Sequence, residues 1–272
     1  MREIITVANK EFRDGLRNRW LLSITLIFAV LSLGLSYFGA AASGTVGITS
    51  LSTTIASLAS LAVFLIPLIA LLLSYDSFVG EQEGGTLLLL LTYPLSKNQL
   101  LVGKFLGQGS IIALATLLGF GASALLLFIQ HSDVVIIETF VYFILSATLL
   151  GLSFTAIAYM ISLIASEKSK AAGVALLTWF FFALVFDLAL LALLVGTDSS
   201  LSQSTLTQLM MLNPADIFRL VNLVGLDSTD VNGALAVALN TNISQAQLLL
   251  ILLAWVIAPL AIASVIFKHK KL

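Results

Sequence analysis

The chain has 272 residues, of which 59% are hydrophobic and 10% charged, with a mean hydropathy of +1.08. That much apolar surface excludes a water-soluble domain and predicts an all-α, polytopic membrane protein. A net charge of −1 points to no nucleic-acid partner, and the absence of Cys excludes disulfides, thiolate metal sites and cysteine nucleophiles.

Residues 2–19 place Ile5, Ala8, Phe12 and Leu16 at helical spacing, with Lys10, Arg13, Arg17 and Arg19 on the remaining face. This pattern predicts an amphipathic helix lying in the membrane interface, against the simpler reading of a charged flank that orients the first span. The charged stretch runs to Trp20 before a full-length apolar segment begins, so no cleavable leader is expected.

Six spans are expected, at about 20–38, 51–75, 101–129, 137–165, 171–195 and 247–267. The link Gly39 to Ser50 is uncharged, and Pro67 is expected to kink the second span. Gly103, Gly107, Gly119 and Gly121 give the third span small-residue faces suited to close helix packing. Twelve of the 13 Lys and Arg residues fall before span one, in the 76–104 and 166–170 segments, and after span six; only Arg219 lies opposite. The positive-inside rule then places both termini and those two segments in the cytoplasm.

Between spans two and three, Asp76 to Lys104 forms a polar break with a short apolar run, Thr86 to Leu91, that cannot cross a bilayer. Glu81 and Glu83 there need water or basic partners, and Gly84-Gly85 permits a sharp change of direction. The leucines either form a cytoplasmic helix parallel to the membrane that another protein covers, or only extend the third span or dip into the interface. In the outer loop, residues 196–246, Asn213 caps a helix with Pro214 at its first position, and Gly225 is the expected stop. Its apolar surface suits the outer leaflet, the top of the spans, or a partner.

There is no GxxxxGK[ST] phosphate loop, so this chain is not expected to hydrolyse ATP. His131 and His269 lie outside the spans, and no paired intramembrane carboxylates are evident, so no catalytic residue is assigned. Asp187 is the only ionisable residue deep in an expected span, and it must face an interior, a partner or a cavity, or else be protonated. It is a candidate for a translocation path or gate. Met210, Met211, Asn213 and Asp216 would offer soft and oxygen ligands, but Met-Met packing is the commoner reading and no metal site is assigned. Asn242-Ile243-Ser244 matches a glycosylation sequon, which by itself decides nothing.

Glu81, Glu83, Gly85, Thr86 and Leu87, followed by Pro94, Leu95, Ser96, Gly103 and Lys104, resemble the E-x-E-x-G-T-L and L-P-[IL]-S stretches of ABC-2 type transporter permeases. The resemblance covers essentially the whole chain and implies one ABC-2 transmembrane domain with an elbow helix at 2–19 and a cytoplasmic coupling loop at 76–100. It further implies two copies each of the permease and of a cytoplasmic ATPase, with ATP and Mg bound in the ATPase and no cofactor in this chain. On that reading Glu81, Glu83, Gly84, Gly85, Thr86, Leu87, Leu88 and Leu89 dock the ATPase, and Glu167 and Lys168 form a second contact. The run Met211 to Leu226 is similar to that of permeases in ABC systems that mature nitrous oxide reductase. There a periplasmic β-helical protein sits on top and supports assembly of the copper-sulfur centre, making Pro214, Asp216, Phe218, Arg219 and Asn222 candidate contacts for it. The expected function is therefore a non-catalytic permease of the bacterial inner membrane. The alternatives are an ABC-2 exporter of another substrate and a non-transporting scaffold for the ATPase and the outer partner.

Overall fold

The structure, a computed structural model, describes residues 2–38, 51–196, 203–224 and 243–270. The described secondary structure is helical: α1 Arg2–Arg17, α2 Trp20–Phe38, α3 Leu51–Ser74, α4 Val79–Glu83, α5 Thr86–Thr92, α6 Lys97–His131, α7 Val134–Ile164 and α8 Lys168–Phe180. After a π-helical turn, Phe181–Val185, follow α9 Phe186–Gly196, α10 Gln203–Met210, α11 Pro214–Leu223 and α12 Gln245–His269. Six of the resulting helical stretches are long and apolar enough to cross a membrane, as expected: α2, α3 with its extension, α6, α7, the α8–α9 stretch and α12. The Gly39 to Ser50 link, Gly225, Leu226 and Asn242 lie outside the described residues.

The ends of these helices follow from local chemistry. Ser96 and Gln99 form a reciprocal capping box at the start of α6, and Ser244 and Gln247 form another at the start of α12. Lys97 Nζ donates to the Lys270 carbonyl at 2.8 Å, so the start of α6 and the end of α12 share one end of the bundle, the basic end. Pro67 lies inside α3, and Trp179 Nε1 donates to the Phe64 carbonyl three residues before it, at 2.9 Å.

Glycines set how closely the helices approach. A Cβ on Gly103 would stand 2.6 Å from Val7 Cβ, and one on Gly107 would stand 2.7 Å from the Ala8 carbonyl oxygen. One on Gly119 would stand 2.4 Å from Phe28 Cβ. The glycine face of α6 therefore receives α1 and α2 of the same chain, whereas a Cβ on Gly121 would meet nothing within 4 Å among the described residues. The core runs along α2, α3, α6 and α7, where Phe28 stacks on Phe120 and Phe143 meets Phe120 edge-on.

The 203–224 segment departs from the readings that laid it on the leaflet or over the top of the spans. Instead of lying on or above the spans, α10 and α11 form a hairpin that re-enters the bundle. At its turn the Met211 carbonyl accepts from Trp255 Nε1 at 3.0 Å. Trp255 lies ten residues inside α12, about 15 Å from the start of that helix at 1.5 Å per residue. Such irregular backbone is tolerated at this depth because protein surrounds it.

Gly107→Val should push α1 off α6, because the Ala8 carbonyl is backbone and has no rotamer to yield. An overpacking loss of about 1–3 kcal/mol is expected, read as a lowered unfolding midpoint in detergent, while Gly121→Val leaves the midpoint unchanged.

Candidate functional site

At the basic end, the chain leaves α3 at Ser74 and is pinned at once by groups from two neighbouring spans. Ser74 Oγ and Tyr159 OH donate to Gln108 Oε1 at 2.8 and 3.1 Å, and Gln108 Nε2 donates to Ser77 Oγ at 2.9 Å. The Phe78 and Val79 amides, orphan donors at the start of α4, both donate to Ser162 Oγ of α7, at 3.0 and 3.1 Å. Phe78 is fully buried against Tyr159 and Phe267, with ring centroids 5.1 Å away in each case.

One turn further on, Glu81 meets Lys104 of α6. The Lys104 ammonium, on a side chain 3% exposed, lies 2.8 Å from Glu81 Oε1 and 3.0 Å from Glu11 Oε1 of α1. Lys10 also reaches Glu11, at 3.1 Å, so two ammonium groups balance two carboxylates where three helices meet. Burial alone would raise the Glu11 carboxyl, but Lys104 and then Lys10 outweigh it and hold the group below its ordinary value. Burial likewise pulls Lys10 down, and the charges of Glu11, Glu81 and Asp14 leave it above its ordinary value. With the Glu11 pKa lowered on folding, its contribution to stability is complete above pH 4.5 and is lost as pH falls through the folded value.

A weaker clamp joins the corner to α8. Lys168 Nζ lies 2.7 Å from Asp76 Oδ2, and its backbone amide donates to Glu83 Oε1 at 2.7 Å. Both side chains of the ion pair are substantially exposed, so water screens it and its contribution is about 0–1 kcal/mol.

Gly85, at φ +69°, turns the chain into α5, a conformation that glycine adopts without steric cost. The expected docking residues then divide by direction. Leu87 is 1% exposed and packs with Phe78, Leu100, Leu101 and Phe267, while Glu81 is turned inward to Lys104; both anchor the element to the rest of the chain. Leu88 and Leu89 are 57% and 63% exposed, and Tyr93 65%. Glu83, Gly84, Gly85, Thr86, Glu167 and Lys168 are exposed beside them.

The outer candidates behave differently. Pro214, Asp216, Phe218 and Asn222 are buried within the chain and offer no outer surface, because α11 packs among α3, α7 and α12. Asn222 Nδ2 donates to Ser146 Oγ at 3.0 Å, and the Phe218 ring meets Phe143 with centroids 5.6 Å apart. Arg219, the one Lys or Arg between residues 196 and 246, is the partner that Asp187 needs: its Nη1 pairs with Asp187 Oδ2 and, at 2.8 Å, with Asp216 Oδ1. Asn213 Oδ1 caps α11 by accepting from the Ala215 amide, and its Nδ2 donates to the Phe182 carbonyl within the π turn. The hairpin is thereby fastened to the fifth span at two points.

Among the described residues no group of three or more His, Asp or Glu side chains converges as a metal site would require. The sequence reading missed Glu11, Gln108, Tyr159 and Ser162. Their signal was present as polar side chains inside otherwise apolar spans and an acid on a basic helix, but nothing in the spacing said which of them meet.

The model for the ABC-2 family transporter protein matches residues 5–272. The chain belongs to the ABC-2 family. It is 54% identical over 268 residues to the "Probable ABC transporter permease protein NosY" of Pseudomonas aeruginosa, covering 97% of this chain and 98% of that one. It is 52% identical over 274 residues to the protein of the same name from Stutzerimonas stutzeri, covering 99% of each. With six apolar helices and this family, the chain is a multi-pass inner-membrane protein, and the family implies an ATPase in a partner chain.

Lys104→Met should leave the Glu11 and Glu81 carboxylates facing each other without their shared ammonium group. A loss of about 3–5 kcal/mol is expected for breaking one side of a buried pair, with partial recovery when Glu81→Gln is added. A double-mutant cycle on unfolding in detergent checks both values.

Proposed function

We propose that this chain is the permease subunit of an ABC transporter, paired with a second copy of itself and docked by two cytoplasmic ATPases at its basic end. ATPase closure pushes on α4 and α5, and the push is delivered to α1, α6 and α7 through Lys104, Gln108 and Ser162. Coupling requires the docking element to make different contacts in two ATPase states, since a partner binding both equally shifts nothing. The observation that carries this reading is the division within α5. An exposed apolar face, Leu88, Leu89 and Tyr93, stands on a helix anchored by Leu87 and by the Glu81 ion pair. An exposed apolar face in water calls for a protein to cover it.

The NosY relatives and the run Met211 to Leu226 support a narrower assignment: maturation of the copper-sulfur centre of nitrous oxide reductase, with a periplasmic β-helical protein at the loop end. Because α11 hides its candidate contacts, that partner would respond to the hairpin's position and not grip those side chains. The fifth span supports the pairing of two permeases, being the least buried of the six, with Leu177, Phe180, Phe181 and Leu188 exposed. Movement at the loop end then follows from Asp187 and Arg219, which tie that span to the hairpin.

Leu89→Glu should reduce the amount of ATPase that co-purifies with the chain by about tenfold, the effect of losing roughly 1.4 kcal/mol. Val134→Glu, at an exposed position at the opposite end and outside the expected spans, should leave co-purification intact. An undiminished ATPase band with Leu89→Glu would remove α5 from the docking site.

A further inference from the structure

Between α7, the π turn and α12 lies a groove of about 460 Å³, walled by Met160, Phe182, Trp255, Ala258 and Ile262. Its size is that of a small-molecule site, yet its wall is almost free of polar atoms. Toward the loop end it reaches Ile251, one turn past Trp255, which packs edge-on against Phe182 with centroids 5.9 Å apart and donates from its Nε1 to the Met211 carbonyl at the hairpin turn. Toward the basic end it continues onto exposed surface. Met160 is four residues from the end of α7, and Ile262 is seven before His269, distances of about 6 and 10 Å along the helices.

The groove face of α12 keeps helical spacing beyond the groove, through Ala258, Ile262, Val265 and His269. Val265 and Ile164 are 55% and 68% exposed there, and His269 is exposed where the helix ends. The neighbouring Lys268 is exposed and has no carboxylate partner among the described residues. The site is therefore an apolar slot with a basic mouth at the level where the spans end. A soluble ligand would find almost nothing polar inside it, whereas the exposed Lys268 ammonium at its mouth offers a counter-charge to an anionic headgroup that an apolar helix from a second copy would not use.

We propose that this groove holds one anionic phospholipid from the leaflet at the basic end. Its acyl chain runs from Ile262 toward Trp255, and its phosphate lies at Lys268 and His269. There the chain packs on the Trp255 ring, whose Nε1 donates to the Met211 carbonyl, so the lipid supports the turn of the re-entrant hairpin. A second apolar groove provides an internal comparison: about 260 Å³, walled by Leu117, Leu125, Phe128 and Val141, between two helices that carry no Lys or Arg after Lys104.

The test uses the full chain in phosphatidylcholine vesicles carrying a trace of phosphatidylglycerol with a photoactivatable acyl chain, and maps the labelled peptides by mass spectrometry. Label should concentrate on 157–160 and 251–262 over 117–128, and excess unlabelled phosphatidylglycerol should compete it away where phosphatidylcholine does not. Lys268→Gln should lower the label about fivefold, the weight of one lysine at an anionic surface. Ala258→Trp, which fills the slot, should abolish it; because Lys268 is exposed, its variant remains informative if Ala258→Trp fails to fold. Equal labelling of the two grooves, or label indifferent to Lys268→Gln, overturns the proposal. So does efficient disulfide formation between copies carrying Ala258→Cys, which would put a second chain in the groove.

Discussion

An ammonium group 3% exposed is stable only where carboxylates replace the water it has lost, and around Lys104 those carboxylates come from two other helices. Its burial therefore fixes α1, α4 and α6 relative to one another. The surrounding sequence serves that contact. Gly103 and Gly107 lie on either side of Lys104 and let the α1 backbone approach until Glu11 reaches the ammonium. The same approach places Val7 in the cluster that holds Leu87, so the anchoring of α5 and the ion pairs depend on one helix crossing.

The opposite half of the molecule repeats the device with the signs in the same order: one cation between two carboxylates on different elements. Arg219 joins Asp187 of the fifth span to Asp216 of the hairpin. Between the two joints runs α7, whose Ser162 holds the start of α4 and whose Ser146 receives Asn222 of α11. Those serines are sixteen residues apart, about 24 Å along the helix. A displacement of the corner thus has a contiguous route of packed and hydrogen-bonded groups to the hairpin. That route becomes coupling only if its elements have two arrangements that the ATPase biases.

The parts of this architecture set by local sequence were legible. Apolar runs of sufficient length gave the six spans, Asn213-Pro214 gave the start of α11, and the glycine pair gave the turn into α5. What was not legible depends on which faces meet. Lys104 and Glu11 are 93 residues apart, and Arg219 and Asp187 are 32 apart, so no periodicity within one helix signals either pair. The inward turn of Leu87 beside the outward Leu88 and Leu89 is likewise invisible in a run of identical residues. The hairpin escaped because its re-entry is determined by cavities among other spans; an amphipathic helix that fills such a cavity has the same pattern as one lying on a membrane.

The chain lacks cysteine, so pairs of spin labels can be introduced without background, with labelled copies diluted by unlabelled ones in the complex with the ATPase. The decisive measurement compares two distances, Ile5 to Leu88 and Leu88 to Leu212, in the nucleotide-free and ATP-bound complexes. If the Lys104 joint carries motion as one body, the Ile5 to Leu88 distance is the same in both states and the Leu88 to Leu212 distance changes. A changed Ile5 to Leu88 distance with Leu88 to Leu212 unaltered would mean that the corner flexes alone and that the push stops at Lys104.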